Sequence, residues 1–219
     1  MKVCFVSGGG LRDYDEAANC DLLVFGFQST ETVSYERELK GETNCFERLA
    51  LLSKNNRTVV CGFVTDTRGL KRKSVLVARN GRISGVSDMV NVIDGEWNAG
   101  ACTRVFETGK GRMGIVVAED LYFFEVVKAL ALCGCDFIVC PFGADAGDIE
   151  RVMLRANAFC FGVPILFCAK GYSMAVGSSG EIEFASPKSP VCLGLENPRA
   201  YHLIETRRRG FYKPKKGEI

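Results

Sequence analysis

Apolar residues along this chain fall into two rhythms that alternate with each other. KVCFVS (2–7) and DLLVFGF (21–27) are short runs of β-branched, leucine and aromatic residues and read as strands. TNCFERLALLSKNN (43–56) sets Phe46, Leu49, Ala50 and Leu52 on one side of a predicted helix, and RTVVCGFVTD (57–66) is the next strand. KSVLVARNGRISGVSD (73–88) holds two β-rich runs around Asn80-Gly81, a pair that favours a tight hairpin because both residues tolerate positive φ. TRVFET (103–108) and RMGIVVA (112–118) read as strands, followed by a helix over about 120–132 with Asp120 as N-cap and Gly134 as stop. DFIVCPF (136–142) predicts a buried strand, a helix near 148–161 comes next, and PILFCAK (164–170) is strand again. Short strands around a turn at Ser179-Gly180 complete the pattern.

Continuously apolar strands alternating with helices indicate sheets buried on both faces, while the period-2 hairpins add antiparallel partners. The expected architecture is a layered α/β sandwich of mixed sheets, in one domain spanning 1–219, with no internal repeat visible. The helix DLYFFEVVKALAL (120–132) is apolar nearly all the way round, which fits either a bulky core helix or a dimer interface. Gly8, Gly9 and Gly10 follow the first strand, but without GK[ST] or a spaced GxGxxG they read as a tight turn rather than a phosphate loop.

Composition narrows the class. The 219 residues are 47% hydrophobic and 25% charged, the balance of a soluble globular protein. No apolar run nears the roughly 20 residues that cross a bilayer, and MKVCFVSGGG reads as a strand entering glycines rather than a signal peptide, so a cytoplasmic protein without membrane contact is expected. A net charge of +2 gives no general affinity for nucleic acid. The eleven cysteines are scattered in apolar stretches and most read as buried thiols of a reducing compartment; Cys133 and Cys135 are spaced CxC and His202 is the sole histidine, so neither a metal nor a cofactor is expected. Arg207, Arg208, Arg209, Lys213, Lys215 and Lys216 crowd the end, as a solvated tail, a segment crossing to a partner subunit, or a handle for an acidic partner.

Several segments in register resemble the nitrilase, or carbon-nitrogen hydrolase, superfamily along almost the whole chain. DLLVFGF sits where that family has a strand ending in Phe-Pro-Glu, and SVLVARNGRISGVSDMVNV where it has the hairpin leading to its lysine. RMGIVVAEDLYFFE matches the family's G-x-x-I-C-Y-D-x-R-F-P-E, and ERVMLRANAFCFGVPILFCAKGYSMAVGSSGEI its later helix, strand and glycine turn. The resemblance implies a four-layer αββα sandwich and a homodimer formed through helices, with a first helix cut down here to a few residues near Tyr14 to Ala18.

In that family a Cys thiolate attacks the carbonyl or nitrile carbon, a Glu moves protons and a Lys stabilises the tetrahedral intermediate. The matching positions here hold Phe27, Met89 and Ala118, so no catalytic residue is intact and the family's mechanism has no nucleophile, base or cation. The leading expectation is a pseudoenzyme. Its alternatives are a small-ligand-binding protein that uses the former pocket, lined by Phe27 and Met89, and an amide hydrolase with relocated residues. Glu119, in place of an aromatic residue of the family, and Cys140, at the end of its strand, are the candidate pocket residues for that last reading. Lys110 and Arg112 read as solvated charges of a turn.

Overall fold

The computed structural model describes residues 1–14 and 19–196. The short helix expected near Tyr14 to Ala18 falls mostly outside the described residues, and His202 and the basic segment from Arg207 fall wholly outside them.

Strands β1 (Lys2–Val6), β2 (Leu22–Ser34), β3 (Thr58–Thr67), β4 (Leu70–Arg79) and β5 (Arg82–Asp88) build one sheet. A second contains β6 (Val105–Thr108), β7 (Gly111–Ile115), β8 (Phe137–Pro141), β9 (Ile165–Ala169), β10 (Tyr172–Val176) and β11 (Ile182–Ser186). The chain then returns as β12 (Val191–Gly194) to pair with β1 at the edge of the first sheet. The strand orders are β12-β1-β2-β3-β4-β5 and β11-β10-β9-β8-β7-β6. Starting from β12 and from β6, both sheets show one sequence of pairings: antiparallel, parallel, parallel, antiparallel, antiparallel. The repeat that the sequence conceals is therefore topological.

Alternation along each strand divides the interior into three apolar layers. Val3 and Phe5 of β1, Val75 and Val77 of β4, and Phe137 and Val139 of β8 meet between the sheets. The intervening residues face outward: Cys4 and Leu76 toward α2 (Cys45–Leu52), which seats Leu49, and Ile138 toward α3 (Phe124–Leu132) and α4 (Asp148–Phe161). Helices outside, sheets inside, make the four-layer αββα sandwich. A short helix, α1 (Tyr35–Leu39), which the sequence pattern did not suggest, sits at the end of a β2 that runs seven residues past Phe27.

The Asn80-Gly81 hairpin forms, with φ of 53° and 78° at the two residues, and α4 has the predicted bounds. The helix expected over 120–132 is instead broken in two. A 3-10 turn covers Ala118–Tyr122 and α3 begins at Phe124, with Phe123 in the extended N-cap position. Asp120 is consequently no cap for α3. Gly134 does follow the helix end, at φ 74°.

Parallel pairing of β2 with β3 sets Phe27 opposite Gly62. The Phe27 ring lies against that glycine so closely that a Cβ there would meet it at 2.5 Å. Gly62→Ala is expected to lower stability by about 1–3 kcal/mol through overpacking, read as a shift of the urea midpoint with unchanged slope; no shift would mean that the Phe27 ring moves aside freely.

Candidate functional site

The parallel strands β1, β2, β7 and β8 deliver their C-terminal ends to one end of the sandwich, where an open sheet usually carries its site. Here the two sheets touch through backbone, the Phe27 N–H donating to Phe142 O at 3.4 Å and the Phe142 N–H to Cys168 O at 2.8 Å. Phe27 lies within β2 between two register shifts, Met89 follows β5, and Ala118 opens the 3-10 turn after β7.

Met89 and Ala118, at 1% and 0% exposure, belong to the inter-sheet apolar cluster, and Phe27 packs against the same cluster. The three positions are thus brought to one apolar region. Ala118 stands at φ 49°, a left-handed conformation disfavoured for a residue with a Cβ. Asp120 fixes the turn that follows. Fully buried, it accepts the Val90 and Asn91 N–H groups at 2.9 and 2.8 Å and the Asn91 side-chain amide at 2.9 Å, tying the turn to the segment after Met89. Burial pushes its carboxyl above the usual carboxylate range, opposed by those three hydrogen bonds.

Glu119 is engaged close by: its Oε1 pairs with the Nζ of Lys73 on β4, while its Oε2 is buried without a hydrogen-bond partner among the described residues. Both side chains are largely covered, at 21% and 15% exposure, and the Lys73 ammonium also lies 5.2 Å from the Trp97 ring centre. Lys73 lies beside Met89, whose N–H donates to Lys73 O at 2.9 Å. The sequence analysis missed Lys73, yet a signal was there: it shares strand parity with Val75 and Val77, which face the inter-sheet core.

Cys140 takes the other side. Neighbouring Val139 faces the inter-sheet layer, whereas Cys140 is fully buried in the outer layer beneath α3 and α4, among Val127, Leu154 and Phe167. Burial, then the charges of Asp120 and Glu119, push its thiol well above the ordinary range. Cys140 therefore faces away from the cluster of Met89 and Ala118, whereas Glu119 is held by Lys73 beside Met89. Beside Phe27, a cleft of about 500 Å³ opens against Ser7, Gly8 to Gly10 and Lys170. The Ser7 hydroxyl lies buried there without a partner among the described residues.

Lys73→Met is expected to destabilise the fold by about 1–3 kcal/mol, since it strands a largely covered carboxylate. Adding Glu119→Gln should recover part of that loss in a double-mutant cycle. Additive losses in chemical denaturation would show that the two charges are independent.

Comparison with known proteins follows from this geometry. No protein-family model matches the chain. A probable nitrilase of Schizosaccharomyces pombe is 23% identical over 182 residues, covering 74% of this chain and 67% of that one. Among solved structures, a Saccharomyces cerevisiae member of branch 10 of the nitrilase superfamily superposes with a TM-score of 0.72 at 16% identity, covering 100% and 97% of the two chains. A cysteine-to-alanine mutant of an amidase from Nesterenkonia sp., in complex with butyramide, superposes with a TM-score of 0.72 at 17% identity over 95% and 96%. The chain therefore carries the fold of the nitrilase superfamily of carbon-nitrogen hydrolases and is similar in sequence, over about three quarters of its length, to a probable nitrilase.

Proposed function

We propose that this protein is a member of the nitrilase superfamily that has lost carbon-nitrogen hydrolysis. The observation that carries the reading is the apolar cluster that Met89 and Ala118 join and Phe27 packs against, at the positions where the resemblance puts the proton-transferring Glu, the Lys and the Cys. A phenyl ring, a thioether and a methyl group supply no base, cation or nucleophile. Ala118 keeps a left-handed backbone that a side chain without chemistry gains nothing from, which fits descent from a chain with a reactive residue there. Against relocated catalysis stand the burial of Cys140 and the engagement of Glu119 by Lys73.

The cleft beside Phe27 favours a second reading, retention of a small neutral amide without turnover. Butyramide bound by an alanine mutant of the Nesterenkonia amidase is its support. Ammonia release from butyramide and from aliphatic nitriles is expected to be absent. Ala118→Cys alone should not restore it, because Phe27 and Met89 still offer neither base nor cation. Turnover by the unmodified chain that Glu119→Gln abolishes would overturn the pseudoenzyme reading. Calorimetric binding of butyramide without ammonia release would favour the second.

The reading extends to assembly and location. Phe124 on α3 and Ile149, Val152 and Phe159 on α4 are more than half exposed on the outside of one sheet, an apolar surface suited to a second copy of the chain. A homodimer is expected at micromolar concentration in sedimentation velocity, and Val152→Glu with Phe159→Glu should shift it to monomer; an unmodified chain that sediments as a monomer would refute the assembly. A reducing, cytoplasmic location fits eleven cysteines that form no disulfide. No helix among the described residues is long and apolar enough to cross a membrane.

A further inference from the structure

The opposite end of the sandwich holds a group of side chains that the reading above does not use. Pairing of β1 with β12 sets Cys4 directly across from Cys192. Cys20, just before β2, packs against the outer layer that contains Cys4, and both Cys20 and Cys192 influence the titration of the Cys4 thiol. Three thiols from three segments thus share one spot, graded in access: Cys4 buried, Cys20 half-buried, Cys192 exposed.

Charge favours ionisation at Cys20 in particular. The hydrogen bond from Cys4 lowers its pKa first; burial opposes, and the Arg57 guanidinium lowers it further. Arg57 Nε is itself buried without a hydrogen-bond partner among the described residues. The nearby acid, Asp21, is occupied: it accepts the Lys2 N–H at 2.7 Å and pairs with Lys110 at 3.4 Å. Cys192 and Asp21 oppose ionisation. Cys20 also lines a cleft of about 180 Å³, together with the polar residues Asn19, Asn55, Asn56 and Lys110. A small polar oxidant has both room and a hydrated approach.

We propose that Cys20 is a hydroperoxide-reactive thiol at this cleft and that Cys4 is its resolving partner. The Cys20 thiolate attacks the distal peroxide oxygen; an S–O bond forms as the O–O bond breaks, and the departing oxygen takes a proton and leaves as water or alcohol. Sulfur has lost two electrons and the peroxide has gained them. The Cys4 sulfur then attacks the sulfenic sulfur, the S–S bond forms, and hydroxide leaves with the Cys4 proton as water. The hydrogen bond that keeps Cys4 protonated belongs to the reduced state, because its strongest upward cause is Cys20 itself.

The test is a time course of the reduced, full-length protein with hydrogen peroxide, quenched by alkylation and read by peptide mass spectrometry. Cys20 should oxidise at least about tenfold faster than the exposed thiols Cys102, Cys133 and Cys160, ending in a Cys20–Cys4 disulfide. Cys4→Ser should leave Cys20 as a sulfenic acid that dimedone traps. Arg57→Gln should slow Cys20 by about tenfold without changing the other three. Oxidation of Cys20 no faster than that of Cys160 would overturn the proposal, as would a rate indifferent to Arg57→Gln in a variant with an unchanged unfolding midpoint. A Cys20–Cys192 link in the unmodified protein would overturn the role given to Cys4.

Discussion

The apolar layer between the two sheets is the constraint on which everything else depends. Every strand that enters it must present alternate residues inward, and the two faces must interdigitate, so neither sheet is stable without the other. The C-terminal strand β12 takes part, closing the first sheet only after the second has been built. The end of the layer is also where a nitrilase fold keeps its chemistry. Apolar packing and charged catalytic groups compete for the same space, and here packing occupies it: Met89 and Ala118 lie inside the layer and Phe27 against it. A buried carboxylate and ammonium would each carry a desolvation cost that a phenyl ring and a thioether avoid.

Charge has not left that end of the molecule. It has moved one residue along the chain and one strand across. Glu119 follows Ala118, and Lys73 lies beside Met89 on the neighbouring strand. A largely covered ion pair is weak ground for stability, because desolvation offsets most of the attraction. Its value lies in specificity: Lys73 satisfies one oxygen of a carboxylate that the turn after β7 holds in place, and Trp97 covers the ammonium. Asp120 adds three hydrogen bonds to the segment after Met89. Together they hold the turn at Ala118 in its left-handed backbone.

Local patterns that carry their own mechanism were legible in the sequence. Asn80-Gly81 needs no tertiary partner to favour a hairpin, and α4 has an amphipathic stripe and a following Gly162 at φ 65°. The structure brings Phe27, Met89 and Ala118, the positions the resemblance singled out, to one apolar region. Asp120 misled: a carboxylate ahead of an apolar helix reads as a cap until the fold supplies Val90 and Asn91 as better donors. The Lys73–Glu119 pair spans 46 residues and two sheets, and only the packing of one sheet on the other brings it together. The doubled strand topology left no trace because each sheet requires alternation and not particular side chains, so its halves can diverge completely in sequence.

Strand geometry also separates the two ends chemically. From Leu22 to Phe27, β2 advances about 17 Å at 3.3–3.4 Å per residue, beyond the screening length of about 8 Å at physiological salt. Charges around Cys20 and Arg57 therefore exert little direct influence on the cluster at Phe27, and the thiol chemistry needs no residue from the nitrilase site. What joins the ends mechanically is β1, whose Cys4 belongs to the thiol group while Ser7, just past its last residue, lines the cleft beside Phe27. A change in bonding at Cys4 would pull on the strand that also bears the Ser7 hydroxyl. Strands β1 and β2 both run from one end to the other and pair in parallel, so the two ends share a continuous stretch of sheet.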